Sequence, residues 1–239
     1  MPVHTLRSAL VLLAVPASLA AAEPTLESLR EAGRWKQLRT RVTPWLAQAP
    51  EDPNALLWMS QVKQAFGDLE GAYALIAKAA KARPEDAAIQ AQFAACAGQK
   101  AQSASALSQL SLAREMRKAG EKALALNPKD ADTAVMMMQF YWMAPGIVGG
   151  DKEKAKALAA QVGGFDPVRG LLMQADLALK GKDRARAEDC FRQAALKPGT
   201  TPAAEMRIPA IAGLSCAGFG AAPSMRRNCG IDDPVRVLR

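Results

Sequence analysis

The stretch GDLEGAYALIAKAAKARP, residues 67 to 84, decides the reading of this chain. Gly67 and Asp68 form a break followed by a helix start. Leu69, Ala72, Tyr73, Ile76, Ala79 and Ala80 then fall on one stripe at helical spacing, while Glu70, Lys78 and Lys81 lie largely elsewhere. Arg83-Pro84 ends the segment, because a proline cannot continue a helix. Working outward, Pro53 suits a first helical residue, and Leu56, Met59 and Phe66 make an apolar side for a preceding helix. Two antiparallel helices joined by a Gly-containing turn form an αα-hairpin.

The same spacing recurs along the chain, with apolar or small residues at i, i+4 and i+7 and a proline at i+12. It reads Leu38, Val42, Trp45, Pro50; Ala72, Ile76, Ala79, Pro84; Met116, Gly120, Ala123, Pro128; and Ala155, Ala159, Val162, Pro167. A fifth copy, Ala187, Phe191 and Ala194, has Pro198 one residue early. Positions i, i+4 and i+7 share one helix face, so each copy is a helix with one apolar flank. A repeated hairpin of this kind predicts an all-α class and an α-solenoid of stacked antiparallel helix hairpins.

At this point the residues resemble the tetratricopeptide repeat (TPR), whose period is 34 residues. Gly67-Asp68, Ala72, Ile76, Ala79 and Pro84 match the second half of such a repeat, and Gly33 to Pro50 has the same step as Gly67 to Pro84. Gly150 to Pro167 repeats it. Ala134, Met137, Met138 and Tyr141 stand where the family places its first-helix residues, and Ala187, Phe191 and Ala194 fit its small-aromatic-small pattern. The resemblance covers roughly Thr25 to Gly199. Corresponding positions are separated by 34, 44, 39 and 32 residues, so the repeats are degenerate. The long intervals carry extra material between paired helices, at Gly98 to Leu107 and at Ala144 to Gly150. Pro44, inside the first repeat's second helix, predicts a kink or a late start.

The chain divides into a leader (1–22), the TPR-like helical domain (23–201) and an irregular or disordered tail (202–239). The leader reads as a secretory signal, with His4 and Arg7 before an apolar run from Ala9 to Leu19 and the small residues Ala20, Ala21 and Ala22. The run is too short to span a bilayer comfortably. The expected product is soluble and exported, periplasmic or extracellular. Its removal takes His4, the only histidine, and Arg7, leaving 30 basic against 23 acidic residues. The usual general base, nucleophile partner and metal ligand are then absent, which excludes Ser-His and Cys-His triads, metalloprotease helices and most zinc sites. The tail is broken by Pro202, Pro209, Pro223 and Pro234, and Ile208 to Leu214 is its one stretch suited to packing.

Cys96, Cys190, Cys216 and Cys229 allow three pairings and contain no CxxC. Cys216 and Cys229 are placed to close a loop in the tail; Cys96 and Cys190 sit on helical patterns and read as buried filler. The basic residues are scattered along helices with no run of five, so the positive charge reads as a solvated surface, and export argues against nucleic acid. Acidic residues stand at helix starts (Glu85-Asp86, Asp130, Asp151) or on exposed faces (Glu27, Glu121, Glu188). No pair is singled out for catalysis.

Two features bear on binding. The glycines of Pro145 to Gly150 precede a helix start, as in anion sites, but Asp151 stands at the cap and its carboxylate would take the same N–H groups. A similar loop occurs in exported bacterial TPR proteins. Phe140, Tyr141 and Trp142 point about 100° apart on a helix, leaving Trp142 either as an exposed anchor or as a cover for the glycine loop. The resemblance implies an inner face lined by first helices, at Asn54, Leu57, Gln61 and Gln64 in one unit and Asp132, Val135, Gln139 and Trp142 in another. Amides and apolar side chains suit a peptide, extended or helical. The Lys with which some family members clamp a terminal carboxylate is missing from these positions. The expectation is a binding scaffold or adaptor, not an enzyme, with no cofactor or metal, whose partner is a protein or peptide of the cell envelope. The alternative is a carrier of small molecules or polyanions. Oligomeric state is left open.

Overall fold

The computed structural model describes residues 23–197. Within them, ten α-helices follow one another with no strand: α1 (Leu26–Glu31), α2 (Trp35–Gln48), α3 (Pro53–Ala65), α4 (Leu69–Ala82), α5 (Ala87–Ser103), α6 (Ala106–Leu126), α7 (Ala131–Met143), α8 (Lys152–Gly163), α9 (Pro167–Lys180) and α10 (Arg184–Ala195). A single 3-10 turn, Gly146–Val148, joins α7 to α8. The leader, the Cys216 and Cys229 pair and the tail lie outside the described residues.

Aspartate starts most of these helices. Asp52, Asp68, Asp86, Asp130, Asp151, Asp166 and Asp183 each accept a hydrogen bond from an N–H of the first turn. These N–H groups have no partner inside the helix, and an anion there also meets the positive end of the dipole. Pro53 and Pro167 take the first helical position, where the missing N–H costs nothing.

The helices pair as five antiparallel hairpins, α1/α2 to α9/α10, and each stacks mainly on its neighbours. The core is accordingly a series of small clusters instead of one centre. Leu29, Leu38, Val42, Met59 and Val62 join the first hairpin to α3. Leu56, Ala72, Ile76, Ala79 and Ile89 join the second to α5. Met137, Tyr141, Ala155, Ala159, Val162 and Met173 join the fourth to α9. The alanines of the repeated pattern are 0% exposed at 72, 79, 155, 159 and 194, which lets helix backbones approach closely.

Three expectations need correction. The extra residues at Gly98 to Leu107 are not a connecting segment: they complete α5 and begin α6, with only Ala104 and Ser105 between. Alanine and glutamine are good helix formers, and nothing before Ala104 breaks the run. Phe66 is not on the apolar side of α3 but just past its end, 46% exposed, with the Arg39 guanidinium 4.9 Å above the ring. Pro44 does not delay α2, which runs from Trp35 to Gln48. Thr40, whose carbonyl loses its N–H donor, and Pro44 itself are both exposed, so that carbonyl is open to water and its lost partner costs little.

The turn inside three of the hairpins, α1/α2, α3/α4 and α9/α10, places one residue in the left-handed region just before the second helix. Gly33 and Gly67 supply it with φ of +66° and +82°, but in the last hairpin the residue is Lys182, at φ +64°. A side chain in that region is strained. Lys182→Gly should therefore raise stability by about 0.5 to 1 kcal/mol, less than the strain released because glycine loosens the unfolded chain. A urea titration checks the direction.

Two tyrosines tie α6 to its surroundings. The Tyr73 hydroxyl of α4 donates to Glu115, and that of Tyr141 of α7 donates to Glu121 at 2.9 Å, so Glu121 is not simply a solvated residue. Burial and these hydrogen bonds raise both phenols above their ordinary value of 10.0. The folded protein then holds these protons more tightly than the unfolded chain does. The stabilisation is complete below pH 10 and is lost as pH rises toward the folded values. Stability should fall above pH 10, and less steeply in the Tyr73→Phe, Tyr141→Phe double variant. Denaturant midpoints across that range measure both slopes.

Candidate functional site: a concave groove

The first helices of four successive hairpins face a common trough of about 1310 Å³. Its floor is α5, which presents Ala88, Ala91, Ala95 and Gly98 at helical spacing. One wall is α3, with Leu57, Trp58 and Gln61. The other is α7, with Asp132, Met136, Gln139, Phe140 and Met143. The lengthened part of α6 adds Ala106, Gln109, Leu110 and Ala113, so the extra residues of the third hairpin heighten one side of the trough.

The far end is closed by curvature. Glu27 and Arg30 of α1 line the same space as Asp130, which caps α7, and Asp132 of α7, six helices later. Arg30 is paired with Glu27, which together with the charge of Glu31 and of Asp132 raises its pKa. Asp132 itself accepts from Arg169 at 2.5 Å.

Of the eight residues expected on the inner face, Leu57, Gln61, Asp132 and Gln139 line the trough. The other four lie off it. Asn54 accepts a hydrogen bond from Arg83 at 3.1 Å, and Gln64 accepts one from Gln92 at 2.8 Å. Val135 is packed against the α7–α9 cluster. Trp142 is half-buried against that cluster with the Lys152 ammonium 5.2 Å over its ring, and it is not among the residues lining the trough. Sequence reasoning missed the α5 floor, although its i, i+3, i+7, i+10 spacing of small residues was there to be read. It also missed α1 and α6, for which no local pattern exists.

The glycine loop is occupied by itself. Val148 and Gly150 donate to the Pro145 carbonyl at 3.1 Å, Gly149 to Gly146 at 2.9 Å, and Asp151 to Tyr141 at 2.8 Å, while the Asp151 carboxylate accepts from Glu153 and Lys154. These N–H groups serve the turn, leaving none of them for a phosphate. Cys96 and Cys190 are buried free thiols, and burial pushes Cys96 up to about 11. Among the described residues no group of three or more potential metal ligands comes together, and no helix is long and apolar enough to cross a membrane.

A crystal structure of TTC0263, a thermophilic TPR protein of Thermus thermophilus, superposes with a TM-score of 0.66 at 17% identity, over 79% of this chain and 96% of that one. The chain has the tetratricopeptide-repeat fold. A crystal structure of MamA is also similar, with a TM-score of 0.51 at 15% identity over 72% of this chain and 94% of that one. No family model and no curated protein matches the TPR-fold chain by sequence.

Proposed function

We propose that this TPR-fold protein is a non-catalytic scaffold of the cell envelope that holds a peptide segment of a partner protein in the α3–α5–α7 trough, after export and removal of the leader near Ala22. The observation that carries the reading is the lining itself. Six glutamines (61, 92, 99, 102, 109 and 139) border a floor of alanines, and Gln61 Oε1 is buried with no hydrogen-bond partner in the protein. A buried acceptor without a donor is costly, and a bound chain can supply one. Alanines at the floor leave room for the guest's side chains.

Selection of binders from a random peptide library tests this on the mature chain. Selected peptides should compete for one site and lose at least about tenfold in affinity when Ala95→Arg fills the floor, a change of about 1.4 kcal/mol. Arg192→Glu, on an exposed residue of α10, should change nothing. Affinities indifferent to Ala95→Arg would remove the trough from consideration. N-terminal sequencing of the protein recovered from the envelope checks the processing site.

A further inference from the structure

The trough has a polarity that the chain as a whole does not share. The protein carries a net charge of +8, yet the only charged residues among those lining the trough are Glu27, Asp130 and Asp132 against Arg30, and all four stand at one end. That end lies by α1 and the first turn of α7. The other end is built from two stretches without a single charged side chain, residues 101–113 and 133–150. Both converge on it, through Leu110 and Ala113 of α6 and Phe140, Met143, Pro145 and Val148 at the end of α7. Met143 is 71% exposed and Leu110 37%. Large apolar side chains kept in water beside an uncharged wall mark a contact surface.

The length of the floor admits a helix. From Ala88 to Gln102 the floor of α5 runs about 21 Å at 1.5 Å per residue. A helix satisfies its own backbone, so it can lie on alanine methyl groups, whereas an extended chain must find a partner for each N–H and C=O. The alanines of the floor offer none, and the only side-chain partners that α5 brings to the trough are Gln92, Gln99 and Gln102.

Resting on the proposed peptide-binding role, we infer that the occupant is an amphipathic helix, with a Leu, Met or Phe stripe facing α6 and α7 and a Lys or Arg in its first turn facing Glu27 and Asp132. Both acidic side chains remain substantially exposed, 52% and 78%, so each can take a second cation. The positive end of the guest's dipole meets the same acidic end, which sets the guest parallel to α5. The glutamines along the edges then bond to the polar flanks of the guest.

Three labelled synthetic peptides of matched composition test the inference by fluorescence anisotropy against the mature chain. The first carries the apolar stripe and an N-terminal lysine pair. The second disperses the stripe, and the third keeps the stripe but has a central proline. The first should bind at least about tenfold tighter than either control and gain helical circular dichroism on binding. Added salt should weaken it, and Glu27→Gln with Asp132→Asn should lower its affinity several-fold and flatten the salt dependence. Circular dichroism of the variant confirms its fold. Equal binding of the proline or dispersed peptide, or no binding of the first, overturns the helical guest while library-selected peptides in the trough keep the broader role intact. Unchanged affinity and salt dependence in the double variant overturn the assigned polarity.

Discussion

Replacing Gly170 with leucine should detach the last hairpin from the rest of the protein. Gly170 of α9 faces Gly163 of α8 so closely that a Cβ there would stand 2.5 Å from the Gly163 nitrogen, closer still to its Cα, and 3.2 Å from the Ala159 carbonyl oxygen. All three are backbone atoms, so no side chain can turn aside. Overpacking in an adaptable core costs about 1 to 3 kcal/mol, and with two helix backbones opposed the cost here belongs at the top, about 3 kcal/mol. Neighbour-to-neighbour stacking confines the damage. Hydrogen exchange should speed up across α9 and α10 while α3 to α6 stay protected. Gly163→Ala is the control, because its Cβ would meet the Gly170 Cα at an ordinary 3.9 Å. If Gly170→Leu leaves protection of residues 167–195 unchanged, the close helix contact is not what seats the last hairpin.

The second large effect is expected at Gly150. A Cβ there would fall inside the van der Waals envelope of the Ala144 carbonyl, again a backbone group. Relieving the clash means opening the turn that carries the Gly150 to Pro145 and Asp151 to Tyr141 hydrogen bonds. Gly150→Ala should therefore cost about 2 to 3 kcal/mol, from overpacking and from loosened bonds at the start of α8. A denaturant titration measures it. This loop is rich in glycine because the chain passes itself at close range, and a variant of unaltered stability would reopen its reading as a ligand site.

Much of the architecture was legible because the contact positions are local. Leu38, Val42, Ala72, Ile76, Ala155 and Ala159 face a neighbour at i and i+4, and each is 0% exposed. The turn aspartates could be read the same way, since a cap acts within three residues. The trough was half legible. Leu57, Gln61, Asp132 and Gln139 point inward because first helices line the concave side, but Asn54, Gln64 and Trp142 lie only a turn or less away along the same helices and are already engaged by Arg83, Gln92 and Lys152. Glu27 and Arg30 reach the trough only because small rotations accumulate over successive hairpins until α1 overlooks α7. No window of sequence contains that sum. The lengthened α5 and α6 were misread as connecting material because a gap in a repeat looks like a loop unless helix propensity is weighed inside it.

The outermost turns at the junction of α5 and α6, residues 101 to 111, hold no buried side chain. Their height can thus be trimmed or extended a turn at a time without disturbing the joints below, as a collar can be recut without altering the coat. Descendants of this protein could refit themselves to a longer or shorter guest by editing residues 101 to 111 alone.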